Sequence, residues 1–473
     1  MCHHKSIRPY RQDEGKNLKI INMQQTENSH IIYKAVLVAS VGGLLFGYDT
    51  AVISGSIGFM RTYYHLSDGM TGWAASCALL GCLVGAMYSG MLSDRIGRKK
   101  VLMISALLFT ISSVGTALAP SLWIFVVFRI VGGMGIGIAS ILSPMYISEM
   151  APAAIRGRLV SIFQLGIVTG ILVIYFVNAY IAGIYDESWN VSFGWRWMFG
   201  SGVIPSLIFI LLLFTVPESP RWLAEKKKYT EALSVLNLIH GEKKATEELD
   251  SIKTSLKDTL PFSWSHLKDS KLKKALVIGI VLAIFSQITG INAIMYYAPE
   301  IFKSTGVGSG SALLQTIVVG VINVIFTFVA IKYADQWGRK TLLMYGIAGM
   351  IICLGIVGVA FYMQQQGYII LIAILGYIAS FAMSMGPLTF VIISEIFPNR
   401  ARGTAMSIAT FFLWLAVFAV SQTFPVLMGS LGPAYTFWLY MAAAVMALIF
   451  VWKKVPETKG KTLEEIEEGW TQK

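Results

Sequence analysis

The stretch GGLLFGYDT, residues 42–50, puts a carboxylic acid, Asp49, inside an apolar run long enough to cross a lipid bilayer. The hydrocarbon core of a membrane has no water to solvate an ionised acid, so a residue of this kind is energetically costly and marks a functional site by default. A second ionisable residue, Arg129, lies in the middle of another apolar run, FVVFRIVGGMGIG (125–137). Asp49 and Arg129 are therefore the first candidates for a functional centre.

The composition is that of an integral membrane protein. Of the 473 residues, 55% are hydrophobic and 14% are charged, and the mean hydropathy is +0.64. A soluble domain has about 45–50% apolar and about 25% charged residues. A helix that spans a bilayer needs about 20 apolar residues. We predict an all-α membrane fold with twelve spans, at 34–58, 71–92, 101–119, 122–147, 159–183, 196–216, 273–300, 311–333, 341–362, 368–393, 403–427 and 433–452.

The distribution of positive charge predicts the orientation in the membrane. The formal net charge is +12. Of the Lys and Arg residues, only Arg61, Arg196 and Lys303 fall in the loops assigned to one side, and Arg129 lies within a span. All the others lie on the opposite side, which is cytoplasmic by the positive-inside rule. The sequence therefore predicts a multi-pass plasma-membrane protein with both termini in the cytoplasm. The excess of basic residues indicates which side of the membrane each loop lies on, and it does not indicate nucleic-acid binding.

Three short signatures occur twice, once in each half of the chain. LSDRIGRKK (92–100) returns as YADQWGRKTL (333–342), SEMAPAAIRG as SEIFPNRARG, and PESPR (217–221) as PETKG (456–460). Each copy follows the second, fourth or sixth span of its half, which indicates two parallel six-helix repeats, as in many transporters. The predicted divisions are a cytoplasmic tail (1–32), a six-helix bundle (33–216), a helical cytoplasmic linker (217–272), a second bundle (273–453) and a C-terminal tail (454–473).

The repeated loops carry charges that could form a gate. Glycine permits the tight turn in each short loop, and the Asp could bind the N-terminus of the next helix or an Arg across the interface. A network among these groups would latch the two halves together on the cytoplasmic side. The alternative is that each Lys or Arg only anchors the topology. The candidate gating residues are Asp94, Arg98, Glu149, Arg156, Asp335, Arg339, Glu395 and Arg402.

Amide and aromatic side chains within the spans suggest a polar ligand. Gly290 and Pro299 predict a broken seventh helix, a feature that lines binding sites in transporters. Amides provide paired donors and acceptors that suit a neutral polyhydroxylated molecule. For a single amide, hydrogen bonding between helices is the commoner role. The candidate ligand-binding residues at this point are Gln164, Gln287, Asn292, Tyr296 and Asn323.

The sequence lacks the signals of a nucleotide-binding protein, a metalloprotein or an enzyme. The run GGMGIG (132–137) lies inside an apolar span with no preceding strand, so close helix packing explains it better than a nucleotide loop. GKT (460–462) lacks the upstream glycine of a phosphate-binding loop, because Val455 stands there. No catalytic constellation, metal site or disulfide framework is evident, and the four cysteines form no CxxC pair. We expect no cofactor and no enzymatic activity.

Taken in order, the motifs resemble the sugar porter branch of the major facilitator superfamily. They are GGLLFGYDTAVISG, the glycine run that follows Arg129, PMYISEMAPAAIRG, PESPRWL, QITGINAIMYYAPEIF, GPLTFVIISEIFPNRARG and PETKGKTLEEIE. The resemblance covers about residues 33–470 and is greatest to bacterial proton-coupled arabinose, xylose and galactose symporters. It implies a twelve-helix carrier that works by alternating access, with a monosaccharide bound at the centre.

The resemblance also implies roles for individual residues. Gln164, Gln287, Asn292 and Asn323 would bind sugar hydroxyls, and Tyr296 would close over the sugar from the extracellular side. Asp49 would carry the coupling proton and pair with Arg129. The chain departs from the xylose carriers at four pocket positions, where Ser286, Phe390, Leu413 and Ile171 replace more polar residues or tryptophan. Phe390, and Trp414 beside Leu413, complete the set of expected sugar-binding residues. The pocket keeps most of its amides but is less polar.

These features lead to the hypothesis of proton–monosaccharide symport, with a pentose or hexose such as arabinose, xylose, galactose or glucose. Desolvation favours the neutral acid at Asp49 and a neighbouring Arg129 favours the carboxylate, so a small movement could change the protonation. The alternatives are a facilitative sugar uniporter, a proton-coupled inositol carrier and a sugar-sensing receptor. The expected partners are the sugar, the proton and the lipid bilayer, and nothing in the sequence requires more than a monomer.

Overall fold

The computed structural model describes residues 13–152, 155–257, 270–365, 368–397 and 402–459. Within these ranges, twelve helical segments are long and apolar enough to cross a membrane. The first six consist of α1 (Asp13–Tyr64), α2 (Asp68–Ile96), α3 (Arg98–Leu118), α4 (Leu122–Met150), α5 (Arg156–Ala182) and a sixth segment made of α6 (Glu187–Trp189), a π-helical turn (Asn190–Gly194), α7 (Trp195–Gly200) and α8 (Val203–Phe214). The predicted all-α fold with twelve membrane helices is confirmed.

An insert precedes the second set of six spans. Its described residues, up to Lys257, form three helices, α9 (Pro220–Glu225), α10 (Tyr229–His240) and α11 (Glu242–Lys257). The later spans consist of α12 (Ser270–Ile288) with α13 (Ile291–Lys303), α14 (Ser309–Trp337), α15 (Arg339–Tyr362), α16 (Tyr368–Ala382) with α17 (Met385–Ile396), α18 (Arg402–Ser430) and α19 (Pro433–Lys454). We call the face that carries the insert the inner face, and the opposite face the outer face.

The helices extend beyond the apolar runs that predicted them. The second span, predicted at 71–92, is a helix from Asp68 to Ile96, because polar residues at the membrane surface continue the helical hydrogen bonding. The same effect is larger at the N-terminus. Helix α1 begins at Asp13, inside the segment 1–32 that we predicted to be a cytoplasmic tail.

Glycine makes the turn at both copies of the short inner loop, as the sequence predicted. Only Gly97 separates α2 from α3, with φ of 102°, and only Gly338 separates α14 from α15, with φ of 89°. Positive φ is readily accessible to glycine and costly for other residues. Two adjacent spans can therefore reverse direction within a single residue at each repeat.

Two spans are interrupted near their middle. Gly290 adopts a left-handed conformation, with φ of 94°, between α12 and α13, which confirms the predicted break in the seventh span. The tenth span is also broken, between α16 and α17 at Ser384. The sequence analysis did not predict that second break, although Gly386 and Pro387 are a signal for it. Broken helices expose backbone groups, which are tolerated in a membrane where they line a cavity.

Aromatic side chains mark where the two membrane surfaces meet the protein. Trp123, Tyr180 and Tyr368 are exposed at helix ends on the outer face. Trp337 and Trp452 are exposed at helix ends on the inner face. Trp and Tyr concentrate at the membrane–water interface, because their rings are apolar and their N–H or O–H groups are polar. The molecule therefore presents an aromatic belt at each end of its spans.

Several hydrogen bonds join the two six-helix halves towards the outer face. Tyr175 donates to the carbonyl of Met295 at 2.8 Å. Ser309 bonds to a carboxylate oxygen of Glu187 at 3.2 Å, in the loops of the outer face. These contacts tie α5 to α13 and the sixth segment to α14. The described structure is therefore held together between its halves on the outer side.

Candidate functional site

Asp49 and Arg129 form a buried ion pair. Arg129 Nη1 donates to Asp49 Oδ2 at 2.8 Å, and Arg129 Nη2 donates to the main-chain oxygen of Asp49 at 3.2 Å. The Arg129 side chain is 1% exposed and that of Asp49 is 10% exposed. The guanidinium also lies over the ring of Phe199, with 5.4 Å from Cζ to the centroid. A pair of this kind is costly to bury, and losing either partner leaves an uncompensated charge.

Small residues in α4 allow close packing against α2, and this packing places Arg129 beside Asp49. The glycines that follow it in α4 lie directly against α2, and a Cβ atom at Gly133 would overlap the carbonyl oxygen of Ala78. A Cβ atom at Gly137 would in the same way overlap the carbonyl oxygen of Cys82. The two helix backbones therefore touch, which is the helix-packing interpretation of GGMGIG (132–137). This close contact holds α4 at the depth where Arg129 meets Asp49.

Two of the predicted ligand-binding amides lie together at the break in the seventh span. Asn292 Nδ2 donates to Gln287 Oε1 at 2.5 Å, and Gln287 Nε2 donates to Ser286 Oγ at 3.0 Å. The other two, Gln164 and Asn323, make no side-chain hydrogen bond within the described residues. Gln164 is half-buried and Asn323 is 9% exposed. The structure thus pairs Gln287 with Asn292 and leaves the other two amides available to a ligand.

One aromatic contact joins the two halves between α1 and α18. The rings of Phe46 in α1 and Trp414 in α18 have centroids 5.6 Å apart. Trp414 Nε1 is buried and has no hydrogen-bond partner among the described residues. Tyr296 is buried and Phe390 is 41% exposed. The sequence analysis did not single out Phe46, although it precedes Asp49 in the first quoted stretch.

The predicted gating residues form ion pairs within each half. Arg98 bonds to Glu149 at 3.1 Å and to Asp94 at 3.1 Å, all in the N-terminal half. Arg339 bonds to Glu395 at 3.3 Å in the C-terminal half. Arg156 is exposed at the start of α5, and the side chains of Asp335 and Arg402 lie outside the described residues. A latch between the halves therefore stays a prediction about another conformation of the carrier.

The helix N-termini after the short loops are bound by residues that the sequence analysis did not assign. Glu218 accepts from the backbone N–H groups of Arg98 and Lys99, at 3.0 and 3.2 Å. Glu457 accepts from those of Arg339 and Lys340, at 2.9 and 3.1 Å. In the N-terminal half, Asp94 bonds instead to the Arg98 side chain.

Each glutamate belongs to the repeat PESPR or PETKG, and that repetition was the available signal. Burial raises the pKa of the Glu218 carboxyl, and hydrogen bonds from the N–H groups of Ser219, Lys99 and Arg98 oppose that shift. Both glutamates join the end of a six-helix half to the start of its third span. The insert continues from Glu218, with Ser219 capping α9 through its side chain and Pro220 in the first turn.

A metal centre is not indicated in the described part of the chain, where no group of three or more His, Cys, Asp or Glu side chains could hold an ion. Cys77, Cys82 and Cys353 are free thiols. The site has two separate parts. One is an ion pair that could exchange a proton, and the other is a set of amides and aromatics that could bind hydroxyl groups. That combination permits reversible binding of a proton and a polar solute.

Comparisons with known proteins agree with a site that binds a proton and a polar solute. The model of the family described as "Sugar (and other) transporter" matches residues 35–470. The arabinose-proton symporter of Bacillus subtilis is 48% identical over 93% of this chain and 96% of its own length. The D-xylose-proton symporter of Escherichia coli K12 is 45% identical over 95% of this chain and 97% of its own.

A solved structure shares the fold over almost the whole chain. The inward-open conformation of the xylose transporter XylE from E. coli superposes with a TM-score of 0.83 and 44% sequence identity. The match covers 93% of this chain and 100% of that one. The contacts between halves on the outer face are consistent with this inward-open conformation.

Proposed function

The chain belongs to the sugar transporter family of the major facilitator superfamily, and on that premise we propose that it is a proton-coupled monosaccharide symporter. The observation that carries this proposal is the buried ion pair between Asp49 and Arg129. A carrier that only equilibrates sugar has no need of a titratable acid inside the membrane. An acid held by one arginine can instead take up a proton when that contact loosens.

The transport cycle follows from alternating access. In the outward-facing state Asp49 is protonated from outside, and the sugar binds between the halves. The neutral acid no longer attracts Arg129 strongly, so the loaded carrier rocks inward. The proton and the sugar are then released to the cytoplasm. The proton gradient provides about 2.3 kcal/mol per charge per 100 mV, and about 1.4 kcal/mol per pH unit.

The sugar is bound by amides and held against aromatic rings. Gln164, Gln287, Asn292 and Asn323 would donate to and accept from the sugar hydroxyls. Trp414 has a buried N–H without a partner among the described residues, so it is a further donor for a hydroxyl oxygen. The other aromatic residues of the site are Phe46, Tyr296 and Phe390. The substrate class is a pentose or hexose, as the names of the arabinose and D-xylose symporters suggest.

The charged loops of the inner face act as the cytoplasmic gate. Arg98 and Arg339 hold Glu149 and Glu395 within their own halves when the outer side is closed. In the outward-facing state the inner ends of the halves come together, and Arg156 and Arg402 would then reach across. The protein lies in the plasma membrane with the inner face and both termini in the cytoplasm, and it works as a monomer without a cofactor.

An uptake experiment tests the proposal. Purified protein is placed in liposomes, a pH gradient is imposed with the outside acidic, and labelled arabinose, xylose, galactose, glucose and myo-inositol are supplied separately. We expect accumulation of one or more of these sugars above the external concentration, abolished by a protonophore. Equal internal and external concentrations under every gradient would identify a facilitative uniporter. Accumulation of myo-inositol alone would identify an inositol carrier.

A further inference from the structure

Asp49 lines a small cavity inside the N-terminal half, in addition to its contact with Arg129. The cavity has about 10 Å³ of space open to the centre of a water molecule, and its wall includes Tyr48, Ser113 and Gly202. A cavity needs about 10–15 Å³ on this measure, and two to four polar partners, to hold one water. The remaining wall is apolar. The space therefore suits a single water at the acid.

The polar atoms around this cavity have unused hydrogen-bonding capacity. Asp49 Oδ2 accepts a hydrogen bond from Arg129 Nη1, whereas Asp49 Oδ1 makes no hydrogen bond within the described residues. Ser113 Oγ likewise makes none within them.

Tyr48 contributes an acceptor. Its hydroxyl lies 2.8 Å from Ser201 Oγ, and Ser201 Oγ donates its own proton to the carbonyl of Met198. The Tyr48 hydroxyl must then be the donor to Ser201, so its oxygen can still accept. A water between these groups can donate to Asp49 and Tyr48 and accept from Ser113.

Glycine at position 202 keeps this space open. A Cβ atom at Gly202 would lie 2.6 Å from Ser113 Oγ, closer than a side-chain carbon can approach without displacing the hydroxyl. Even alanine would therefore fill the room that the water needs. The cavity is lined by residues of α1, α3 and α7 and by Gly202 in the turn between α7 and α8, all of which precede the insert. Three of the four candidate sugar amides, Gln287, Asn292 and Asn323, lie after the insert.

We propose that this cavity is a water site, organised by Ser113, through which the coupling proton reaches the Asp49 oxygen that Arg129 does not hold. The proposal deepens the proposed symport and rests on it. The water passes a proton to Asp49, which forms an O–H bond at Oδ1. The water then regains a proton from solvent, so the site as a whole gains one positive charge. Asp49 becomes neutral and its attraction to Arg129 falls. Release reverses these steps, and no other reactant is consumed.

The other groups around Asp49 leave it as the proton acceptor. The titratable neighbours are Tyr48, which precedes Asp49 on α1 and lines the same cavity, Arg129 on α4, Cys77 and Cys82 on α2, and Tyr296 on α13. An arginine stays charged at any working pH, and ordinary thiols and phenols ionise near pH 8.5 and pH 10 respectively. The carboxylate is therefore the group of this set whose protonation can follow the pH gradient. Ser113 acts as a positioning residue, since it never gains or loses a net charge.

Three variants are compared with wild type in liposomes to test the proposal. Ser113→Ala removes the hydroxyl and Gly202→Ala fills the cavity, while Ser113→Thr keeps a hydroxyl. Sugar-driven proton uptake is recorded with an internal pH dye, and sugar counterflow, which needs no net proton movement, is recorded in parallel. We expect Ser113→Ala and Gly202→Ala to lower the proton uptake rate about tenfold, equivalent to a hydrogen bond of about 1.4 kcal/mol. Counterflow should stay near the wild-type rate, and Ser113→Thr should recover much of the proton uptake.

Thr110→Val is the matched control, because it removes a hydroxyl from the same helix outside the cavity wall, and it should leave both rates unchanged. Wild-type proton uptake in both Ser113→Ala and Gly202→Ala would overturn the proposal, as would an equal fall of proton uptake and counterflow, which would mean a structural role only. If Gly202→Ala does not fold, Ser113→Ala and Ser113→Thr decide the question. Absence of sugar-driven proton uptake in the wild type itself would instead contradict the proposed symport.

Discussion

Gln422 accepts a hydrogen bond from Ser76 across the boundary between the two halves, with 2.9 Å between Ser76 Oγ and Gln422 Oε1. The same side chain donates from Nε2 to the carbonyl of Gly69, also at 2.9 Å. One amide of α18 therefore satisfies a donor and an acceptor of α2 near the outer face. A nearby edge-on contact between Trp73 and Phe418 strengthens the junction. We expect opening of the outer side to break both hydrogen bonds.

Removing this amide should shift the conformational equilibrium. We expect Gln422→Ala to favour the outward-open state by about 1–3 kcal/mol, or about 5- to 150-fold, because each lost hydrogen bond contributes about 0.5–1.5 kcal/mol. Spin labels on the exposed outer residues Tyr185 and Tyr435 would report a longer distance between the halves. Ser76→Ala removes one of the two bonds and should have a smaller effect. An unchanged distance distribution in Gln422→Ala would show that the bridge does not bias the equilibrium.

Neutralising the buried acid should separate exchange from accumulation. Asp49→Asn keeps an oxygen acceptor for Arg129 but cannot take up a proton, so the carrier should still exchange sugar across the membrane. We expect the steady-state accumulation ratio to fall to about one, and sugar uptake to lose its dependence on external pH. The buried guanidinium loses its counter-charge, so some loss of thermal stability is also expected. The measurement is the internal sugar concentration in liposomes at several imposed pH gradients.

Asp68→Asn serves as the control for this change. Asp68 is an outer-face carboxylate that pairs with Arg61 in an exposed setting, and exposed ion pairs contribute little to stability. It should keep the wild-type accumulation ratio. Accumulation against a gradient by Asp49→Asn would assign the coupling proton to another group.

The paired amides at the helix break should determine sugar affinity without affecting coupling. Asn292→Ala removes one partner and leaves Gln287 Oε1 without its donor. We expect KM for the sugar to rise about 10- to 100-fold, because a lost hydrogen bond to a buried polar group costs about 1–3 kcal/mol. The number of protons moved per sugar should not change. Asn237→Ala, an amide in the insert helix α10, is the control and should leave KM unaltered.

The two glutamates that bind helix N-termini should contribute equivalent stability. Glu218→Gln and Glu457→Gln each remove a negative charge from a helix start, where carboxylates contribute about 0.3–2 kcal/mol. We expect each variant to lower the apparent melting temperature in detergent by a similar amount, and the double variant to lower it further. Glu247→Gln changes an exposed carboxylate beyond the first turn of α11 and should leave the melting temperature unchanged. A drop confined to one of the two glutamates would mean that the repeats are not energetically equivalent.

The sequence predicted more of the fold than of the contacts. Twelve spans, the glycine turns at Gly97 and Gly338 and the break at Gly290 all depend on local composition or on backbone conformations that glycine favours, so they can be recognised in sequence. The break at Ser384 was missed, although Gly386–Pro387 is a local signal for it. The role of Glu218 was missed for another reason. Its partners, the N–H groups of Arg98 and Lys99, are distant in the chain.

By itself the sequence determined that the chain crosses a membrane twelve times in two related halves, and that Asp49 and Arg129 lie within the bilayer, because the bilayer selects apolar runs of fixed length. Only the tertiary structure decided which atoms meet. It paired Arg129 with Asp49 Oδ2 and joined the two halves through Gln422. It also left a cavity beside Ser113, because Gly202 has no side chain to fill it. Those relations depend on how helices distant in sequence approach one another, to within the width of a single methyl group, and no local pattern of residues encodes that distance.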